Sequence, residues 1–439
     1  MGRLRSLAAL LAALAGTAPA TAAEITRVAS SGEPERPFEL SLEVRWERAS
    51  RRGNITREFG ENQGQPATGV VRDAPELKYT QVSNRIVPRL AVGLWHDLEL
   101  RAELPYVLSD DTTWKSAADS AAVSGVLSNG VDASGLPCAS APCPIVPVGV
   151  THYAGGALGD LRIGLAWAIH NQRKDPWAPT WVVSLDVTAP TAPRFDPASG
   201  RLTGATWAAP ASFSASGKSP VGRKIWVYDL ATALSRRMGA AEPYFKAHLA
   251  IPQRSSSTYS NCEHAAALAA QDPAQMSSVA AANCALPAWK TDALAKPPLV
   301  VGMLFGTELV AWDEKGSGQH LTFDLRGTVD FVGRARWYNE LTPATGKLLA
   351  TDPYLTLGAL LAMDLRASRH LTLRAQGTFQ HDVAHFVSGE AQGNVMNEIG
   401  VGGGDVNPNF DWRYDLPGRR FRIGDVIAWT VTVSGAFTF

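Results

Sequence analysis

The sequence predicts an all-β protein, a transmembrane antiparallel β-barrel of about 12 strands with short periplasmic turns and long extracellular loops. Three observations predict it. Apolar and polar residues alternate with period two through most of the chain, which places the two classes on opposite faces of a strand. The connections between those segments are alternately short and long, as in outer-membrane barrels. A membrane-crossing helix needs about 20 consecutive apolar residues, and the only long apolar run is Leu7 to Leu14.

Residues 1–23 read as a secretory signal peptide. Arg3 and Arg5 form a basic start, Leu7 to Leu14 an apolar core, and Ala18-Pro19-Ala20 or Ala20-Thr21-Ala22 a small-residue cleavage site. Residues 24–439 are then one barrel domain, although length alone would suggest two or three soluble ones. The first strand sets Phe38, Leu40, Leu42, Val44 and Trp46 against Glu39, Ser41, Glu43, Arg45 and Glu47. A less regular run follows at 76–94, and then Leu98, Leu100, Ala102 and Leu104 alternate with Glu99, Arg101 and Glu103. Leu161 to Ile169, Trp181 to Val187 and Phe245 to Ile251 repeat the pattern, with a weaker run at 224–236 between the last two. Leu321 to Phe331, Leu371 to Phe379 and Trp429 to Phe439 are the clearest later strands, and 299–312 and 353–366 the weaker ones.

Short turns fall at Trp95-His96-Asp97, Asn171 to Pro179, Arg237 to Ala240, Asp313 to Gln319 and Ala367 to Arg369. Long stretches fall at 50–75, 109–157, 190–223, 252–298, 334–352 and 387–427. A soluble β-sandwich would also alternate, but offers no reason for this asymmetry. In a bilayer every backbone amide needs a partner, and closure of the sheet supplies it. Trp46, Trp95, Tyr106, Trp167, Trp181, Trp226, Trp312, Trp337, Tyr338, Tyr354 and Trp429 fall near predicted strand ends, where aromatic girdles belong.

The 439 residues carry 41 basic and 41 acidic side chains, so no net field favours nucleic acid as a partner. The four cysteines fall into two local pairs, Cys138/Cys143 and Cys262/Cys284. In an oxidising compartment these suggest two disulfides, although three pairings are open. Zinc is the weaker reading, since neither pair has structural-site spacing. No cofactor or metal is expected.

If the apolar face meets lipid, the polar face lines the interior. Pore-lining candidates are Glu43, Arg45, Arg101, Glu103, Lys246, Asp324, Arg326, Arg374 and Asp382. Neighbours such as Glu43/Arg45 and Asp324/Arg326 differ in sign, so cross-strand pairing should give a polar lumen of mixed charge. The same ions would also plug the interior by satisfying one another. Enzyme-like signals fail on geometry. His381 and His385 are four apart on a strand, about 13 Å from each other, too far to share a metal ion. Gly217-Lys218-Ser219 has Ser212 where a phosphate loop needs its first glycine, and the Gly400 to Gly404 cluster reads as a loop. A lipase-like barrel would need a His-x-Ser signature, which the sequence lacks.

Gly93-Leu94-Trp95-His96-Asp97-Leu98-Glu99-Leu100, with Leu104-Pro105-Tyr106, resembles outer-membrane channel proteins of the phenol-degradation meta pathway. Gly159 to Leu165 and Leu185 to Thr191 are similar to the same family. The resemblance implies a barrel in the outer membrane of a Gram-negative bacterium, passing small, hydrophobic or aromatic solutes by passive diffusion. The cysteine-bearing loops depart from the compact family pattern. The ending Val431 to Phe439 resembles the C-terminal signal read by the barrel assembly machinery, with Phe437 and Phe439 as its aromatics. Outer-membrane lipids, that machinery and a small solute are the partners so implied. The alternative is a closed barrel whose extracellular loops act as a receptor or adhesin surface, and a membrane-embedded hydrolase is third.

Overall fold

The computed structural model describes residues 23–32, 38–60, 71–117, 146, 149–198, 218–265, 283–284, 286–314, 318–391, 407–411 and 414–439. Residues 1–22, Cys138 and Cys143, 266–282 and the Gly400 to Gly404 cluster lie outside that set. Twelve long strands form the wall, numbered here in chain order. They are β1 Leu40–Gly60, β2 Val71–Trp95, β3 Leu98–Glu103 continuing as Tyr106–Ser116, β4 Leu161–His170, β5 Thr180–Ala189 and β6 Ile225–Ser235. The remainder are β7 Ala241–Arg254, β8 Val300–Glu314, β9 Gln319–Val332, β10 Tyr354–Arg366, β11 Leu371–Asp382 and β12 Phe421–Thr438. Each pairs antiparallel with its chain neighbours, and β1 pairs with both β2 and β12, so the sheet closes. At the seam Leu40 N–H donates to Phe439 O at 3.1 Å and Phe439 N–H to Leu40 O at 2.9 Å. Closure removes the unpaired edge, as a bilayer requires.

Alternation decides which face meets lipid. On β12, Trp429, Val431 and Val433 are 40%, 40% and 49% exposed, whereas Thr432 and Ser434 are 4% and 6% exposed. The same sense holds around the ring, with Leu165, Leu230, Phe305, Leu325, Leu361 and Leu373 exposed. A continuous apolar band of this kind is stable only in lipid. The protein is an outer-membrane β-barrel. Trp95, Trp167, Trp181 and Trp312 stand at the short-turn end, and Trp46, Tyr106, Trp226 and Trp429 nearer the long-loop end, all exposed. Three expected girdle members do not join them. Trp337 and Tyr338 lie in the extracellular cap, ring centroids 5.0 Å apart, and Tyr354 stacks on His385 at 3.8 Å.

The five short turns fall where the sequence places them. The tightest joins β2 to β3, with φ of 29° at His96 and 34° at Asp97, the positive angles a two-residue hairpin turn needs. Three long loops are shorter than expected: β1 runs to Gly60, β2 starts at Val71, β3 reaches Ser116 and β12 begins at Phe421. The physical reason is a change of face. Above the lipid band the apolar residues turn inward, so Ile55, Leu77, Trp114, Phe421 and Ile423 form one buried core with Leu341, Leu349, Val387 and Tyr414 of the loops. A register shift between Arg52 and Asn54 on the β1–β12 pair carries the chain through this switch.

The described loop residues pack over the extracellular end. They contribute a hairpin of Ala335–Trp337 with Leu349–Thr351, and two short helices, α1 Pro287–Asp292 and α2 Thr342–Thr345. Trp114 Nε1–H donates to Glu340 O at 3.0 Å, fixing this cap to β3. Cys262 and Cys284 form a disulfide with Cα atoms 5.5 Å apart.

Candidate functional site

The interior has three levels. At the periplasmic end the segment before β1, residues 23–32, enters the lumen and docks on its wall. Its 3-10 turn Glu24–Thr26 is anchored through the polar side chains of Glu24 and Thr26. Glu24 lies 3.3 Å from Arg326 Nη2 and 4.0 Å from Arg374 Nη2. Burial opposes ionisation of Glu24, but the Arg374 and Arg326 guanidiniums outweigh it and hold the carboxyl well below its usual range. Ala29 N–H donates to Glu99 Oε2 at 2.7 Å, and Val28 packs on Ala166, Ala168 and Val182. The segment was not marked in the sequence, because a stretch without periodicity reads as a leader-to-strand connection.

The middle level is a lattice of ion pairs. Arg101 grips Asp186 with two hydrogen bonds, 2.8 Å from Nε and 2.5 Å from Nη2, and Arg162 bridges Asp186 and Asp229 at 3.0 and 3.2 Å. Arg45 meets Glu103 at 3.1 Å, while Arg89 sits 3.6 Å from each of Glu43, Glu99 and Glu103. On the opposite wall Asp324, fully buried, accepts from Arg326 at 2.6 Å and Arg374 at 3.1 Å. Glycines make the room: a Cβ on Gly164 would stand 1.9 Å from Asp186 Oδ1. Higher up, Arg51 joins Glu340 of the cap at 2.5 Å to Asp382 of β11 at 2.7 Å. The nine pore-lining candidates all lie on strands of the wall, and eight of them enter this pairing; Lys246 stands near Asp229 without a direct bond.

Beneath the cap lies a chamber of about 200 Å³, lined by Tyr79, Gln81, Asp110, His152, Phe195, Arg223, Trp337, Tyr338 and Tyr354 among others. Arg223 lies over the Tyr338 ring at 4.0 Å and the Phe195 ring at 5.1 Å, and its buried Nη1 has no acceptor among the described residues. Burial lowers the affinity of that guanidinium for its proton, and Tyr338 opposes the effect. His152 is pulled down to about 4 by burial and by Arg223. Two further cavities lie beside the periplasmic segment, of about 330 and 110 Å³, and share Glu24, Arg27, Glu39, Asp364 and Thr372 in their walls. Arg223, Phe195 and Tyr338 sit in loops and His152 ends a three-residue strand, Val150–His152, too short for periodicity to have marked any of them.

His381 lies on β11 in register with Leu357 and Ile427, while His385, Lys218 and Ser219 take structural roles. His385 stacks on Tyr354 and its Nδ1 lies 2.8 Å from Val383 O, Lys218 Nζ donates to Leu108 O, and Ser219 Oγ pairs with His152. Among the described residues no group of His, Cys, Asp or Glu is arranged to hold a metal ion.

No family model and no curated protein matches the chain. Solved structures give weak likenesses. An outer membrane channel from Pseudomonas putida F1 aligns at a TM-score of 0.41 and 10% identity, over 93% of this chain and 100% of that one. A FadL homologue of Pseudomonas aeruginosa aligns at 0.32 and 8%, over 92% and 90%. The outer membrane protease OmpT from Escherichia coli aligns at 0.29 and 8%, over 92% and 98%. At such scores none of them assigns a substrate or an activity to this chain.

Proposed function

We propose that the protein is a non-enzymatic outer-membrane channel that takes up small, hydrophobic or aromatic molecules by passive diffusion. The observation that carries this reading is the hollow lumen. Chambers open beneath the cap and beside the periplasmic segment, and what lies between them is side chains and a non-covalently docked segment rather than a packed apolar core. The upper chamber sets the aromatic rings of Tyr79, Phe195, Trp337, Tyr338 and Tyr354 among polar groups, with Arg223 stacked on two of those rings, a combination suited to a single small ring bearing a hydroxyl or carboxylate. The resemblance of Gly93 to Leu100 to phenol-degradation channels points to the same class of solute. The mixed-charge lattice disfavours a wide aqueous route, so polar sugars should pass poorly.

Initial uptake rates of labelled phenol and labelled arabinose in porin-deficient cells test the reading. Expression should raise phenol uptake and leave arabinose uptake unchanged, and Arg223→Met should lower phenol uptake about 2- to 30-fold, the range of a buried cation–π contact. Equal rates with and without the protein would favour the closed receptor-like barrel.

A further inference from the structure

We infer that signal peptidase cuts between Ala22 and Ala23, and that the α-ammonium so formed is bound inside the barrel by Glu242, with Glu308 holding the next backbone nitrogen beside it. The cleavage adds water across one peptide bond: the carbonyl carbon of Ala22 takes the oxygen and leaves as a carboxylate, and the Ala23 nitrogen takes the protons and becomes an ammonium. Of the two small-residue sites in the leader, only Ala20-Thr21-Ala22 produces this start.

The structure supplies the receptor. Ala23 is fully buried, and its nitrogen donates to Glu242 Oε1 at 2.7 Å. The next nitrogen, of Glu24, donates to Glu308 Oε1 at 2.6 Å. Glu242 is 5% exposed and also accepts from Ser235 Oγ at 2.7 Å, which in turn meets Thr26 Oγ1 at 2.7 Å. Glu242, Glu308 and Asp324 stand directly opposite one another on β7, β8 and β9. Three like charges in one cross-strand row are unfavourable unless cations intervene. Arg326 and Arg374 serve Asp324, Asp364 and Glu24. Arg237 acts on Glu242 only at longer range. Neither Glu242 nor Glu308 forms an ion pair among the described residues, and a buried carboxylate without one is costly. An amide at residue 23 brings one hydrogen bond and no charge. An ammonium at the same atom brings the missing positive charge and three donors.

The inference does not depend on transport. Intact mass and N-terminal sequencing of the mature barrel should show a start at Ala23. The rate of α-amine acylation by an amine-reactive ester, followed against pH, should then show a midpoint at least one pH unit higher in the folded barrel than in the urea-unfolded chain, where about 7.7–8.0 is ordinary. Labelling at pH 7 should be at least about 10-fold slower in the folded barrel, since each pH unit is a tenfold change. Glu242→Gln with Glu308→Gln should bring the midpoint down. A start at Thr21 or elsewhere would overturn the inference, as would an unshifted midpoint. A midpoint displaced downward would show burial without pairing and would also overturn it. Should the double variant fail to fold, the wild-type comparison of folded and unfolded barrel decides.

Discussion

Gly93 is where one methyl group should lift the periplasmic segment off the wall. A Cβ built on this inward-facing residue of β2 would lie 2.5 Å from the Ser30 carbonyl carbon and 2.6 Å from its oxygen. Ordinary carbon contacts begin near about 3.5 Å, so Gly93→Ala requires the segment to retreat by about 1 Å. That displacement breaks three hydrogen bonds. They are His96 N–H to Ser31 O at 2.9 Å, Asp97 N–H to Ser30 Oγ at 3.2 Å and Ala29 N–H to Glu99 Oε2 at 2.7 Å. At about 1 kcal/mol net for each neutral bond, and more for the one to a carboxylate, the loss is about 3 to 4 kcal/mol. The docked population should fall relative to the undocked by roughly 100- to 1000-fold. Single-channel current in planar bilayers reads this directly. Gly377→Ala is the control, because a Cβ there meets nothing within 4 Å. Gly93→Ala should raise the conductance or the open time, and Gly377→Ala should not. Wild-type current from a folded Gly93→Ala barrel would refute the docking of residues 23–32 as the occluding contact.

Three further outcomes are expected. Asp324→Ala leaves Arg326 and Arg374 without their shared buried partner, and should cost about 3 to 5 kcal/mol in reversible unfolding from lipid vesicles; an effect below about 1 kcal/mol would contradict the lattice's role. His152, whose folded pKa is depressed to about 4 from an ordinary value near 6.5, favours the neutral form in the folded cap. The cap therefore keeps its full stability above about pH 6.5 and loses it as pH falls toward 4, so loop proteolysis on intact vesicles should accelerate in acid for wild type and stay flatter in His152→Asn. Cys262→Ser opens a loop with a sequence separation of 22, worth about 3 kcal/mol of chain entropy; faster thermolysin cleavage in that loop, which holds Leu268, Met276 and Val279, with unchanged barrel unfolding is the expected pattern.

The wall was legible because lipid imposes one rule on every strand. Leu98, Leu100 and Ala102, or Trp429, Val431 and Val433, are apolar for the same reason, so period two counts strands and sets their faces. The rule stops at the membrane boundary. In the upper parts of β1, β2, β3 and β12 the inward residues are the apolar ones, and Ile55, Tyr79 and Trp114 answer to the cap core instead of to lipid. Pairing partners were legible only in kind. The sequence puts Arg101 and Asp186 on polar faces, but their contact depends on the ring order and on the space left by Gly164. The upper chamber and the periplasmic segment were not legible at all. Arg223 meets Tyr338 and Phe195 through loop conformation, and Glu24 meets Arg326 across more than 300 residues of chain.

The most direct test of a lumen that passes small aromatic solutes when its periplasmic segment undocks is a reversible lock. Val28 packs on the cluster of Ala166, Ala168 and Val182 on β4 and β5, so Val28→Cys with Ala168→Cys is the cross-link to build between segment and wall, its formation checked by loss of both free thiols. Initial phenol uptake in porin-deficient cells would be measured for the oxidised double variant and again after reduction. The account predicts uptake near the background of cells lacking the protein when oxidised, and recovery to the wild-type rate when reduced. Equal uptake in the two states would show that passage does not require the segment to undock and would contradict the account.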